Sequence, residues 1–370
     1  MRLDAWLLHL PLATPYKLAF GPVEALDTVV VRMVRDDGRE GYGEATLLTG
    51  YTDETVGETW AKVGEIAGAL GSASFNLGAT LDGLDASHPF LTTAFRTALE
   101  MADGSFLLSL EAPARVPILG LLQAESEERL RAEADALLAQ GYRTLKVKVG
   151  FDAVRDAAMV GMAQRAVGGR ARIRIDANQG YAAREAIEFV SRLSNESIEL
   201  FEQPCAAGDW DAHARVVPIA RDRGIALMLD ESIYSEREIE MASERRAADF
   251  IKVKLMKFRS LARLAAAIAL IRNRGQTPVL GNGVATDLGC WMEACIAARH
   301  IDNAGEMNGF LKPRERLLAD PLVFRDGCIE LPAGWRPRID VSTLERLAIA
   351  RETGVRPQFP QFSASHEAGV

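Results

Sequence analysis

Asp176, Glu202 and Asp230 each close a short apolar run, in RIRIDAN, IELFEQP and IALMLDES. A lysine-bearing run stands on either side of them, TLKVKVG before and FIKVKLMK after. Three acids flanked by lysines suggest a divalent-metal site between two bases. Few arrangements of ordinary side chains can remove a proton from carbon, and this is one of them. A plainer reading is that each acid only caps the helix after its strand, a frequent role for Asp. That reading weakens when three acids hold the same place in successive runs.

The runs themselves recur. They occupy 116–122, 144–150, 172–178, 198–204, 225–232, 250–257 and 277–283, with one more near 300–309, at a step of about 25 to 28 residues. Between them lie stretches such as SEERLRAEADALLAQG and AREAIEFVSRLS, where apolar residues return every three or four positions. A strand, a helix and two short loops fit that step, and eight such units in a row predict an α/β fold, a (β/α)8 barrel. The C-terminal strand ends of a barrel converge on one mouth, which is where catalysis sits. There Asp176, Glu202 and Asp230 face one another. Left bare they repel, and a hard, oxygen-seeking cation such as Mg2+ resolves the repulsion.

Lys146 and Lys148 are two apart, so they share one face of a strand, while Leu145, Val147 and Val149 face the helices. The same alternation pairs Lys252 with Lys254. The second and sixth strands of a barrel stand on opposite walls, which sets Lys148 and Lys254 on opposite faces of a substrate held between them. An ammonium near another cation and away from bulk water gives up its proton more readily, as a base requires. The alternative is that the lysines merely neutralise the acids, which suits Lys146 and Lys252 better than Lys148 and Lys254. Lys146 and Asn178 are also candidate substrate contacts.

The first 110 or so residues break the rhythm. Alternating runs such as DTVVVRMV and helical stretches such as TVGETWAKVGEIAGAL and TTAFRTALEMA predict a small α+β domain ahead of the barrel. After about residue 320, FRDGCIELPAGWRPRID reads as short strands and turns, and the final VRPQFPQFSASHEAGV as loosely held. The formal charge of −8 and the lack of a clustered basic face argue against nucleic acid as a partner. No run approaches the roughly 18 apolar residues that span a membrane, and the start shows no signal-peptide order. Cys205, Cys290, Cys295 and Cys328 have neither disulfide nor zinc spacing, which points to reduced thiols in a cytoplasmic protein.

In this order and spacing, KVK, DAN, EQP, DES and KVKLMK resemble the enolase superfamily, specifically its muconate lactonizing enzyme subgroup. The resemblance covers most of the chain. GYGEAT (41–46) and FRTALEMA resemble the family's N-terminal capping domain, and IELPAGW its C-terminal return to that domain. The resemblance implies a modified (β/α)7β barrel over 114–322, a capping domain over 1–113 and a returning segment over 323–370. It makes Asp176, Glu202 and Asp230 ligands of Mg2+ and Lys148 and Lys254 acid/base residues. The chemistry implied is removal of the proton α to a carboxylate, the metal holding the enediolate. Homo-oligomers are common in the superfamily, which makes one an option here.

The chain departs from the family pattern in three places. Ala285 stands where an acid usually comes after the seventh strand, with Asp287 two residues on as a candidate substitute. Phe258 and Arg259 replace a glycine pair. No histidine ends the seventh strand, which removes the lysine and histidine pair of the mandelate racemase subgroup.

Glu306 and Asn308 lie where related dipeptide epimerases carry an Asp-x-Asp that holds a substrate ammonium. They either hold an amino group or cap the next element. Phe20, Leu47, Leu48 and Tyr51 form an apolar lid, or else pack between domains. The leading expectation is a Mg2+-dependent racemase or epimerase acting on a small carboxylate, an amino-acid derivative or dipeptide. A dehydratase or cycloisomerase ranks second, and a catalytically silent binding barrel third, on the strength of Ala285 and the lost glycines.

Overall fold

The computed structural model describes residues 1–18, 21–48 and 53–355, with side chains omitted at 17 and 18. Phe20 and Tyr51 lie outside the described residues. The chain opens with antiparallel strands β1 (Arg2–Leu18), β2 (Gly21–Val34) and β3 (Glu40–Leu47). Helices Val56–Ala69, Leu77–Leu84 and Pro89–Ala102 come next.

β1 is buried on both faces, which its alternation makes possible. Leu3, Ala5 and Leu7 enter a core with the helix residues Val63, Ile66, Phe90 and Phe95, whereas Trp6, Leu8, Leu10 and Leu12 join the main core. The glycines of GYGEAT have a packing reason. A Cβ at Gly41 or Gly43 would come within 2.2 Å of Ala98 O or 2.1 Å of Ala94 O, so their absence lets helix Pro89–Ala102 lie directly on β3. Leu47 faces this second core and Leu48 the main one, both buried.

The runs become strands β4 (Ala114–Pro117), β5 (Gly120–Leu122), β6 (Thr144–Lys148), β7 (Arg172–Asp176), β8 (Ile198–Glu202), β9 (Ala226–Leu229), β10 (Phe250–Val253) and β11 (Thr277–Leu280). β5 to β11 form one parallel sheet in sequence order. Its open edges meet through Gly305 and Glu306. Gly305 N donates to Pro117 O, Leu119 N to Gly305 O and Glu306 N to Leu280 O, at 2.9, 2.9 and 3.0 Å. The expected eighth strand near 300–309 is therefore only a bridge, Ile118 to Gly305. The first expected run also divides, because β4 pairs with β13 (Cys328–Leu331) beside β12 (Val323–Arg325). β14 (Ala348–Val355) returns to the capping sheet alongside β1.

FIKVKLMK is shorter as a strand than its alternation suggests. β10 stops at Val253, and Leu255–Phe258 form a helical turn. β1 is re-aimed as well: its pairing with β2 slips between Pro11 and Tyr16, and Leu12 bridges Pro313 beside the barrel mouth.

Candidate active site at the barrel mouth

Each expected acid ends a strand or stands next after one. Asp176 and Glu202 are the last residues of β7 and β8, and Asp230 comes directly after β9. All three are buried, and inward-pointing lysines meet them. Lys146 Nζ lies 3.0 Å from Asp176 Oδ2, 3.1 Å from Glu202 Oε2 and 3.0 Å from Glu306 Oε2. Lys252 Nζ lies 2.9 Å from Glu202 Oε1 and 3.5 Å from Asp230 Oδ2, and it also pairs closely with Glu306. Lys254 Nζ reaches Asp230 Oδ2 at 2.7 Å.

Burial alone would discharge Lys146 and Lys252. The acids around them outweigh it and hold both ammonium groups well above the usual lysine range. Asp230 sits well below the usual carboxylate range for the matching reason: Lys254, Lys257 and Lys252 overcome its desolvation. Glu202 goes the other way. Burial and the negative charge of Asp176 push its carboxyl upward against the pull of the two lysines. Its Oε2 is buried without a hydrogen bond, although Lys146 stands within ion-pair distance.

That donor set suits a hard divalent cation. Three carboxylates occupy successive strand ends, and one has a buried oxygen in need of positive charge. In the conformation described, each carboxylate is turned toward a lysine, and among the described residues no three acidic, histidine or cysteine side chains are grouped as ligands.

Lys148 ends β6 with part of its surface exposed, at the edge of a cavity of about 670 Å3 shared with Asn178, Phe151, Met159 and Met162. β6 and β10 stand four places apart in the sheet, on opposite walls of a barrel of eight staves. Asn178 takes a left-handed φ of 41°, donates its backbone N–H to Asp176 Oδ1 at 2.9 Å and its amide to Glu231 Oε1 at 3.1 Å. Asn308 Nδ2 donates to Leu119 O at 3.2 Å. Asp287 is committed elsewhere, accepting from the amides of Leu317 and Leu318, both at 2.9 Å.

Several residues at the mouth had no assigned role in the sequence. Lys257 donates to Asp230 O at 2.6 Å and Oδ1 at 2.9 Å beneath the Tyr234 ring, and burial draws it down to about 8. The signal was its spacing, three after Lys254, which shares a helix face only if the strand ends early. Tyr16, from the capping sheet, is buried beside the mouth, and burial with the charge of Glu306 raises it to about 12. Glu293 accepts from Leu255 N at 2.9 Å behind Lys254. It and Glu44 of β3 line a small cavity beside Ala285, and burial pushes both to about 7.

A model of the family described as Enolase C-terminal domain-like matches residues 129–336. The chain belongs to the enolase superfamily. It is 30% identical over 322 residues to an L-Ala-D/L-Glu epimerase from Bacillus subtilis, covering 80% of this chain and 84% of that one. It is 28% identical over 349 residues to a muconate cycloisomerase of Acinetobacter lwoffii, covering 89% of each. The fold matches that of a dipeptide epimerase from Cytophaga hutchinsonii, solved with Mg and the dipeptide D-Ala-L-Val, at a TM-score of 0.81 and 21% identity, covering 95% of this chain and 99% of that one. Its relatives are isomerases, and this superfamily member is an enzyme of that class.

Proposed function

We propose that the protein catalyses Mg2+-dependent racemisation or epimerisation of an amino-acid derivative, through exchange of the proton α to its carboxylate between Lys148 and Lys254. One observation carries the reading: Lys148 ends β6 and Lys254 directly follows β10 on opposite walls of the barrel, with Asp176, Glu202 and Asp230 at or just after the ends of the three staves between. Those three carboxylates would hold the ion, exchanging contacts with lysine for contacts with the metal. When bound, Mg2+ would supply the positive charge that makes the α-proton of a carboxylate acidic. Nζ of one lysine removes the proton from its face, and Nζ of the other delivers one to the opposite face. Lys146 and Lys252 remain charged through the cycle and keep Glu202 and Glu306 in place. The reaction needs no acid at Ala285.

Mass spectrometry after incubation of a carboxylate library in deuterated water tests this. We expect a gain of one mass unit at the α-position, and a fall in racemisation of about 100- to 10,000-fold in Lys148→Ala and in Lys254→Ala. Each variant should still exchange the enantiomer whose proton faces its surviving lysine. A total lack of α-exchange sinks the reading. The unequal surroundings of the two lysines favour a second one, a cycloisomerase or dehydratase with one essential base. In that case one of the two substitutions leaves most of the activity.

A further inference from the structure

Gln203 follows Glu202 with a left-handed φ of 37°, a conformation that strains any residue carrying a Cβ and persists only where the surroundings enforce it. Its buried side chain supplies that enforcement. Gln203 Oε1 accepts from Asp230 N at 2.9 Å and from Ser232 N at 3.2 Å. A single amide group therefore ties the end of β8 to the loop after β9, which sets Glu202 and Asp230 relative to each other. Backbone N–H groups only donate, so the carbonyl oxygen of Gln203 must be the atom that faces them.

The opposite end of the amide is fixed by what surrounds it. Gln203 Nε2 reaches Ser232 Oγ at 2.8 Å, Cys205 O at 3.0 Å and His213 Nε2 at 3.2 Å. Facing an NH2 group, His213 Nε2 can only accept, so the ring is neutral with its hydrogen on Nδ1. Loss of hydration favours the same state and draws the ring down to about 4. Cys205 and Ser232 belong to the two loops that the amide joins, and they move with those loops. His213 does not. It is fully buried near the start of helix Trp210–Asp222, and it ties the amide to the helical layer outside the strands.

We propose that His213 is a positioning residue for the Mg2+ cradle: by accepting from Gln203 Nε2 it anchors the amide that spaces Glu202 and Asp230, and so sets how tightly the ion is held. The proposal rests on the proton-transfer reading for its metal, but it makes a separate claim about binding. Calorimetric titration of metal-free wild type, His213→Leu and His213→Gln with magnesium chloride tests it, alongside urea unfolding of the same samples.

His213→Leu should weaken Mg2+ binding about 10- to 100-fold, the range expected when a group that orients metal ligands is lost. His213→Gln, whose side-chain carbonyl can take the place of the accepting nitrogen, should stay within about 3-fold of wild type. A residue that only packs its helix would change the unfolding of the Leu variant and leave Mg2+ affinity alone, and that result overturns the proposal. An equal loss of affinity in both variants overturns it too, because the acceptor would then be irrelevant. Nitrogen-15 NMR of the wild-type imidazole keeps the test decisive if the Leu variant does not fold: Nδ1 should carry the hydrogen and Nε2 none, and a hydrogen on Nε2 overturns the proposal. Wild type that binds no Mg2+ ends both readings. The expected loss and rescue of affinity without α-exchange would sink the proton-transfer reading and leave His213 its role. Mg2+-dependent α-exchange with equal Mg2+ affinity in all three proteins would do the reverse.

Discussion

Two walls of the mouth carry the same Lys-Val-Lys and treat it differently. The first lysines match: Lys146 on β6 and Lys252 on β10 both reach Glu202 and Glu306. The second lysines diverge. Lys148 borders an open cavity, whereas Lys254 is 2% exposed and rests on Asp230. The difference lies in the segment beyond each strand. After β6 the chain leaves through Gly150, at φ 105°, with its bare face against Ala177 O. After β10 it winds at once into Leu255–Phe258, which brings Lys257 under the same carboxylate and ends on Arg259 at φ 68°. A repeated strand motif thus sets the direction of a lysine, and the loop beyond it sets the environment.

The contrast is broken most directly at the acids. Asp230 faces both Lys254 and Lys257, while Asp176 faces Lys146, which keeps Glu202 and Glu306. Asp230→Asn should therefore cost about 3 to 5 kcal/mol, as expected when a buried ion pair loses one member. Asp176→Asn should cost about 1 kcal/mol, since Lys146 retains two other carboxylates. Urea unfolding of metal-free protein compares them, and equal losses would mean that the two walls are electrostatically alike.

The β10 wall is also backed by Glu293, whose carboxyl takes the amide of Leu255. Burial raises it from an ordinary 4.5 to about 7. Folded protein keeps that proton while the unfolded chain loses it, so stability falls as pH rises from about 4.5 to about 7 and is then level. Glu293→Gln lacks this slope. Its stability relative to wild type should rise by about 2 to 3 kcal/mol between about pH 5 and pH 8. Thermal melts across that range check it, and a constant gap would show that Glu293 is ionised throughout.

Much of this arrangement was legible in the sequence, because strand alternation and strand-end position are local rules. RIRID, IELFE and the first Lys-Val-Lys fold as their alternation suggests. What was not legible depended on contacts between distant segments. The helical turn at Leu255–Phe258 hid the role of Lys257 inside an apparent strand. Tyr16 enters the mouth only because β1 slips past β2 and bridges Pro313. Asp287, a natural candidate for the missing acid, is claimed by two amides about thirty residues away in the chain.

Arg259 offers the finest test of the loop's influence. It stands where the family resemblance expects glycine, and its left-handed φ is the conformation glycine adopts freely. Its Nε donates to Asp85 O of the capping domain at 2.8 Å, a bond worth about 1 kcal/mol that offsets backbone strain of similar size. Arg259→Gly should consequently leave stability within about 1 kcal/mol of wild type. Arg259→Ala keeps the strain and loses the bond, so it should be the less stable by about 1 kcal/mol. Equal stability of the two variants, measured by chemical denaturation, would mean that the left-handed turn is unstrained and that the bond to Asp85 alone accounts for arginine at this position.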